Sequence, residues 1–146
     1  MHSIIKKEFD EHLKVSLETI QAIQKPLETA ANHCILSLKD GNKILLFGNG
    51  GSAADAQHIA AELVGRYKTD RKGLPAIALT TDTSTITSIA NDYGYSDVFS
   101  RQIEALANKG DVVIGISTGG TSLNVVSAIE KASKLGCKTI GLSGKG

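Results

Sequence analysis

The sequence predicts an α/β fold, a parallel sheet with helices on both faces. Three observations predict it. Short, continuous apolar runs recur after residue 42, as expected of strands buried on both sides. Stretches with helical spacing separate them. Gly, Ser and Thr gather directly after several of these runs, where a strand hands over to a helix.

In chain order, residues 4–24 read as a long amphipathic helix, with Ile5, Phe9, Leu13, Leu17, Ile20 and Ile23 at spacings of three and four. Such a helix would run about 30 Å at 1.5 Å per residue, so its apolar stripe points to packing against another chain. Pro26 is expected to open a second helix, in whose first turn proline is tolerated. Leu27, Ala30, Ala31, Cys34, Ile35 and Leu38 form the stripe of that helix, and Asp40-Gly41-Asn42 ends it. Residues 1–39 are thus expected to be a helix pair. Residues 43–47 (KILLF) form a first strand that breaks at Gly48, followed by a helix with Ala53, Ala56, Ile59, Ala60 and Leu63 on one face. Residues 75–79 form a second strand. Residues 83–90 and 96–108 read as helices separated by an Asn91-Asp92-Tyr93-Gly94 loop. Residues 111–117 are a third strand, 123–135 a helix ended by Gly136, and 138–142 a fourth strand. No internal repeat or low-complexity segment interrupts this order.

Composition narrows the function. The chain has 146 residues, about one domain's worth. Sixteen basic and fifteen acidic residues leave a net charge of +1, which draws the chain neither to nucleic acid nor to a membrane surface. Aromatic residues are only 4%, with no Trp, too few for stacking single-stranded bases. Cys34 and Cys137 stand apart in apolar surroundings, fitting free thiols in a reducing compartment. The N-terminus has no apolar core of a signal peptide, and no apolar run approaches a membrane span. The expectation is a soluble, cytoplasmic chain of a single domain.

Three clusters carry chemistry. The first is Gly48-Asn49-Gly50-Gly51-Ser52, after the first strand. Its glycines permit positive φ and close backbone approach, and the helix that follows offers open N–H groups and a positive dipole end to an anion. Ser52 either caps that helix or holds the anion. A plain capped turn has the same composition. A dinucleotide site is the other alternative, since Gly48, Gly50 and Ala53 satisfy G-x-G-x-x-A, but the fingerprint wants an acidic residue about 20 positions further on at the end of the second strand, and the only acid there, Asp82, comes too late. The second cluster is Ser117-Thr118-Gly119-Gly120-Thr121-Ser122, with four hydroxyls in six residues ahead of a helix. Ser143-Gly144 follows the fourth strand in the same manner. Hydroxyl donors without many arginines favour a small phosphorylated metabolite over a polyanion. The third cluster is His58 and Glu62, one turn apart on the helix that leaves the first loop, able to meet one metal or substrate, or simply each other. Asn91-Asp92 reads as ordinary turn chemistry, and Arg66, Arg71 and Arg101 as scattered, solvated charges.

Taken together, these motifs resemble a known family. GNGGSAADAQH (48–58) resembles the first loop and helix of the sugar isomerase (SIS) domain family, and AAELVGRY (60–67), SIANDYG (88–94), FSRQIEAL (99–106) and GDVVIGISTGGTSLNV (110–125) resemble its phosphoheptose isomerase members. The likeness runs through essentially the whole chain. It implies a flavodoxin-like three-layer sandwich, a homotetramer with active sites between subunits, and isomerisation of sedoheptulose 7-phosphate to glycero-manno-heptose 7-phosphate for lipopolysaccharide heptose. It implies that Asn49, Gly50, Gly51 and Ser52 hold substrate together with Ser117, Thr118, Gly119 and Ser122, that Asn91 and Asp92 line the same pocket, and that His58 and Glu62 bind zinc and act in catalysis, Glu62 also as the base. Two departures stand out. The loop reads STGGTS where the family usually has STSGNS. The family's further strand and C-terminal helix, whose Gln and His complete the zinc site, have no counterpart in residues 1–146, leaving fewer ligands than the three of a usual catalytic zinc. The competing expectation is a non-catalytic SIS module that binds a phosphosugar or a protein partner.

Overall fold

In a computed structural model of the chain, residues 2–144 are described. The chain divides into two compact units, Met1–Asn32 and His33–Gly146. The first belongs to helix α1, His2–Lys39, which is a single helix and not the expected pair. Pro26 lies inside it. A proline there removes one backbone donor and costs on the order of 3 kcal/mol. Its neighbours supply no glycine or turn residue to end the helix, and two bonds span the proline: Gln24 Nε2 donates to Glu28 Oε1 (3.2 Å) and Thr29 Oγ1 to the Lys25 carbonyl (3.1 Å). Along α1, Ile5, Phe9, Leu13, Leu17, Ile20 and Ile23 are all exposed. No helix among the described residues is long and apolar enough to cross a membrane.

The second unit is the α/β sandwich. Strands β1 (Ile44–Gly48), β2 (Ala76–Ala78), β3 (Val112–Ile116) and β4 (Lys138–Leu142) form one parallel sheet in the order β2-β1-β3-β4. Period-2 geometry divides their side chains between two cores. Leu45, Phe47 and Val113 face one core, packed against Val98, Phe99, Ile103, Val125 and Ala128, where the Phe47 and Phe99 rings stack at 5.0 Å. Ile44, Leu46, Val112 and Ile116 face the other, against Ala56 and Ala60, with Cys34 and Leu38 at its margin. Both faces of the central strands β1 and β3 are covered, which is why they read as unbroken apolar runs. Cys137 is buried and Cys34 half-buried, both as free thiols.

Helices α2 (Gly51–Val64), α3 (Thr83–Tyr93), α4 (Ser100–Leu106) and α5 (Leu123–Lys134) complete the unit, with a 3-10 turn at Tyr95–Asp97. Here the expected boundaries shift. Asn91 and Asp92 lie in the last turn of α3 and not in a loop. Asp82 caps the start of α3 by accepting from the Thr85 N–H (3.0 Å), and the helix stops only at Gly94, whose φ of +95° no side chain adopts easily. The helix expected at 96–108 is the 3-10 turn plus the short α4.

The two ends of the sheet differ. At its N-terminal end, Asp111 is buried and accepts from Lys43 Nζ (2.6 Å), the Lys43 N–H (3.0 Å) and the Asn108 N–H (2.7 Å). Burial pushes this carboxyl up, but the bonds from Lys43 and Asn108 together outweigh it and hold the group below the ordinary aspartate range. The C-terminal end is left for the glycine- and hydroxyl-rich loops.

Candidate active site

Gly48 ends β1 beside Ile116, which ends β3. This pairing brings the loops after both strands side by side. Gly48 has to be glycine. A Cβ on it would sit 2.7 Å from the Ile116 carbonyl oxygen and 2.7 Å from Ser52 Cβ, so the strand ends and the first turn of α2 meet with no room between them. Gly50 then turns the chain at φ 55°, ψ −121° and becomes the residue before α2. It offers no side-chain cap, and Ser52 sits inside the first turn instead of capping it. Of the two roles open to Ser52, capping is the one it does not take, since the helix begins one residue before it. Ser122 precedes α5 and likewise makes no capping bond to its own helix. Its hydroxyl lies 3.0 Å from that of Ser117. Neither helix start is closed by its own side chain; in the first turn of α2 the Ser52 and Ala53 N–H groups donate to the Asn49 and Gly50 carbonyls, and in that of α5 the Val125 N–H donates to the Ser122 carbonyl.

The loops are stitched together. Asn49 and Asn124 form a reciprocal amide pair: Asn49 Nδ2 donates to Asn124 Oδ1 and Asn124 Nδ2 to Asn49 Oδ1, both at 2.9 Å. Tyr95 Oη donates to the same Asn49 Oδ1 at 3.2 Å. The Gly144 N–H donates to the Thr118 carbonyl (3.1 Å), joining the loop after β4 to the loop after β3. Gly120 carries a φ of +71° in the middle of this loop. Ser117 is buried, whereas Thr118 and Gly119 are exposed. A cleft of about 80 Å³ opens between Gly48, Asn49, Gly50, Thr80 and Tyr95. A larger hollow of about 570 Å³ runs along β2 past Ile77, Ile89 and Leu106, but it does not touch these loops.

His58 and Glu62 lie on one face of α2, with Nε2 and Oε1 3.9 Å apart. The imidazole is largely exposed and the carboxylate about a third exposed. Arg71 anchors the end of this helix, donating to the carbonyls of Glu62 (2.8 Å) and Leu63 (2.9 Å). It is a helix-terminal clamp and not the solvated charge expected from sequence. The donor chemistry of His58 and Glu62 suits zinc, but two ligands fall short of the three that a catalytic zinc takes. Among the described residues no group of three or more His, Cys, Asp and Glu comes together to hold a metal. Asn91 and Asp92 bond to one another (Asn91 Nδ2 to Asp92 Oδ1, 2.8 Å) in an exposed turn, and no hydrogen bond among the described residues ties them to the loops.

Thus Asn49, Gly50, Gly51 and Ser52 are brought alongside Ser117, Thr118, Gly119 and Ser122, with His58 and Glu62 on the helix leading away. Sequence reading missed Asn124 and Tyr95. The one signal for Asn124 was positional: an amide one residue into the helix after β3, facing an amide in the loop after β1.

The chain is similar over nearly its whole length to known proteins. A family profile described as SIS domain matches residues 8–144. The phosphoheptose isomerase of Aliarcobacter butzleri (strain RM4018) is 63% identical over 145 residues, covering 99% of this chain and 77% of that protein. That of Helicobacter pylori (strain P12) is 56% identical over 142 residues, covering 97% and 74%. Among solved structures, the phosphoheptose isomerase from Neisseria gonorrhoeae superposes with a TM-score of 0.91 at 43% identity, and one from Francisella tularensis with 0.92 at 38%, each over 97% of this chain and 74% of that one. The chain belongs to the SIS domain family, and within it to the phosphoheptose isomerase branch.

Proposed function

We propose that this chain is a sugar-phosphate isomerase interconverting sedoheptulose 7-phosphate and D-glycero-D-manno-heptose 7-phosphate. The observation that carries the reading is the stitched pair of loops at the ends of β1 and β3, with Glu62 on the helix that leaves the first. The positive ends of α2 and α5 and the hydroxyls of Ser52, Ser117, Thr118 and Ser122 suit a phosphate, as do the backbone N–H groups of Gly50 and Gly51. Gly119 leaves that loop with backbone donors alone at its position. Asn91 and Asp92 join the pocket in this proposal from the last turn of α3.

The chemistry needs little else. A base removes a proton from C1 of the ketose, the carbonyl oxygen at C2 takes up a proton, and an enediol forms. Returning a proton to C2 while the C1 hydroxyl gives up its own yields the aldose. Glu62 is the group for the carbon-bound proton. His58, one turn before it, would stabilise charge on the substrate oxygens. Zinc enters the proposal with His58 and Glu62 as two of its ligands and the rest from outside the described residues; when bound, it would polarise those oxygens. A homotetramer with sites between subunits would cover the exposed stripe of α1, and a cytoplasmic role in lipopolysaccharide heptose synthesis fits the substrate.

The test is Glu62→Gln. Turnover should fall by about 10²-fold or more, the usual worth of a positioned base, while binding of the sugar phosphate changes only a few-fold. Near-normal turnover would remove Glu62 from this role.

A further inference from the structure

We infer that Asn124 is a positioning residue that locks Asn49 so that it faces the cleft as a hydrogen-bond donor only. The inference rests on the reading of Asn49 as a substrate contact and gives that contact a direction. An asparagine amide has two acceptor sites on its oxygen and two protons on its nitrogen. Asn49 Oδ1 already accepts from Asn124 Nδ2 (2.9 Å) and from Tyr95 Oη (3.2 Å), so both acceptor sites are taken. Asn49 Nδ2 gives one proton to Asn124 Oδ1 (2.9 Å). One N–H remains.

Asn49 lines the cleft with Gly48, Gly50 and Tyr95, so that N–H is what a ligand meets there. The partner atom must be an acceptor, such as a carbonyl, enediolate or phosphate oxygen. A group that can only donate is rejected, because no acceptor on Asn49 is left to receive it. The lock is firm because Asn124 is only 4% exposed and water does not compete for the pair. It also ties the loop after β1 to the first turn of α5, so the two halves of the site hold one register. Tyr95, from the 3-10 turn, fixes which way round the amide sits: a phenol hydroxyl donating to oxygen favours the orientation with oxygen towards the ring.

The test combines ligand binding with a measurement that needs no ligand. In the free protein, the Asn49 side-chain amide should give two resolved proton resonances in an NMR spectrum, one protected from solvent exchange and one not. Asn124→Ala should abolish that protection. For sedoheptulose 7-phosphate followed by calorimetry, Asn124→Ala should weaken binding roughly tenfold or more, the worth of one oriented bond to a strongly accepting oxygen. Tyr95→Phe, at an exposed position where folding is not at stake, should weaken it about threefold. In an Asn49→Ala background neither substitution should weaken binding further, because both act through Asn49. Additive losses in that background, or an Asn49 amide with both protons equally exchanging in the wild-type protein, would overturn the lock. Wild-type protein that shows the protected amide yet binds no sugar phosphate would sink the isomerase reading and leave the lock standing.

Discussion

Replacing Asp111 with Ala is the sharpest probe of what holds the sheet. The carboxylate is 1% exposed and takes three donors: Lys43 Nζ, the Lys43 N–H and the Asn108 N–H. Removing one partner of a buried pair costs about 3–5 kcal/mol. Lys43 is 21% exposed, so its ammonium regains water, which favours the lower end. The two backbone N–H groups belong to half-buried Lys43 and exposed Asn108, so water reaches them in part and they add little to that figure. A loss of about 3–4 kcal/mol at neutral pH follows, read from urea unfolding curves at unchanged slope.

The pH dependence adds a second arm to that experiment. The carboxyl of Asp111 is held below its ordinary value when folded. Its contribution is therefore complete above the unfolded aspartate value of about 3.9 and fades as pH falls through the lower folded value. The gap between wild type and variant should narrow as pH falls below the unfolded value. Sugar-phosphate binding should survive, because the site lies at the other end of a five-residue strand, about 16 Å away at 3.3 Å per residue. A difference under about 1 kcal/mol at pH 7, or one that persists unchanged into strong acid, would refute the reasoning.

Two other expectations concern the scaffold of the site. Gly48→Ala puts a methyl against the Ile116 carbonyl and Ser52, so it should cost about 1–3 kcal/mol and weaken sugar-phosphate binding, whereas Gly51→Ala meets nothing within 4 Å and should melt within a degree or two of wild type. Arg71→Ala releases the carbonyls of Glu62 and Leu63; hydrogen exchange in the last turn of α2 should speed up several-fold, and Arg71→Lys should not restore it because an ammonium lacks the fork that reaches both oxygens.

The sheet was readable from sequence because its central strands β1 and β3 are buried on both faces, and a short unbroken apolar run such as residues 44–47 suits a strand with a core on either side. The loops were readable because Gly48 and Gly50 answer to backbone constraints that only glycine meets. Proline misled at position 26, where a local rule was overridden by a long run of helix-forming neighbours. Asn91 and Asp92 misled in the opposite sense: both are turn formers, but Gly94 two residues later is the true stop. The Asn49–Asn124 pair, the Lys43–Asp111 pair and the Arg71 clamp were not legible, because the first two join residues 75 and 68 positions apart and the third turns on where a loop folds back. Such partnerships depend on register, which periodicity alone does not specify.

The central claim is that Glu62 moves a proton between adjacent carbons of a bound heptose phosphate. Incubating the protein with sedoheptulose 7-phosphate in D2O and following the sugar by mass spectrometry and NMR tests it directly. The account predicts an aldose product, with deuterium at C2 in the fraction whose abstracted proton exchanges with solvent on Glu62 before it is returned, and Glu62→Gln giving neither product nor label. A protein that binds the sugar phosphate but neither converts it nor exchanges a carbon-bound proton would contradict it.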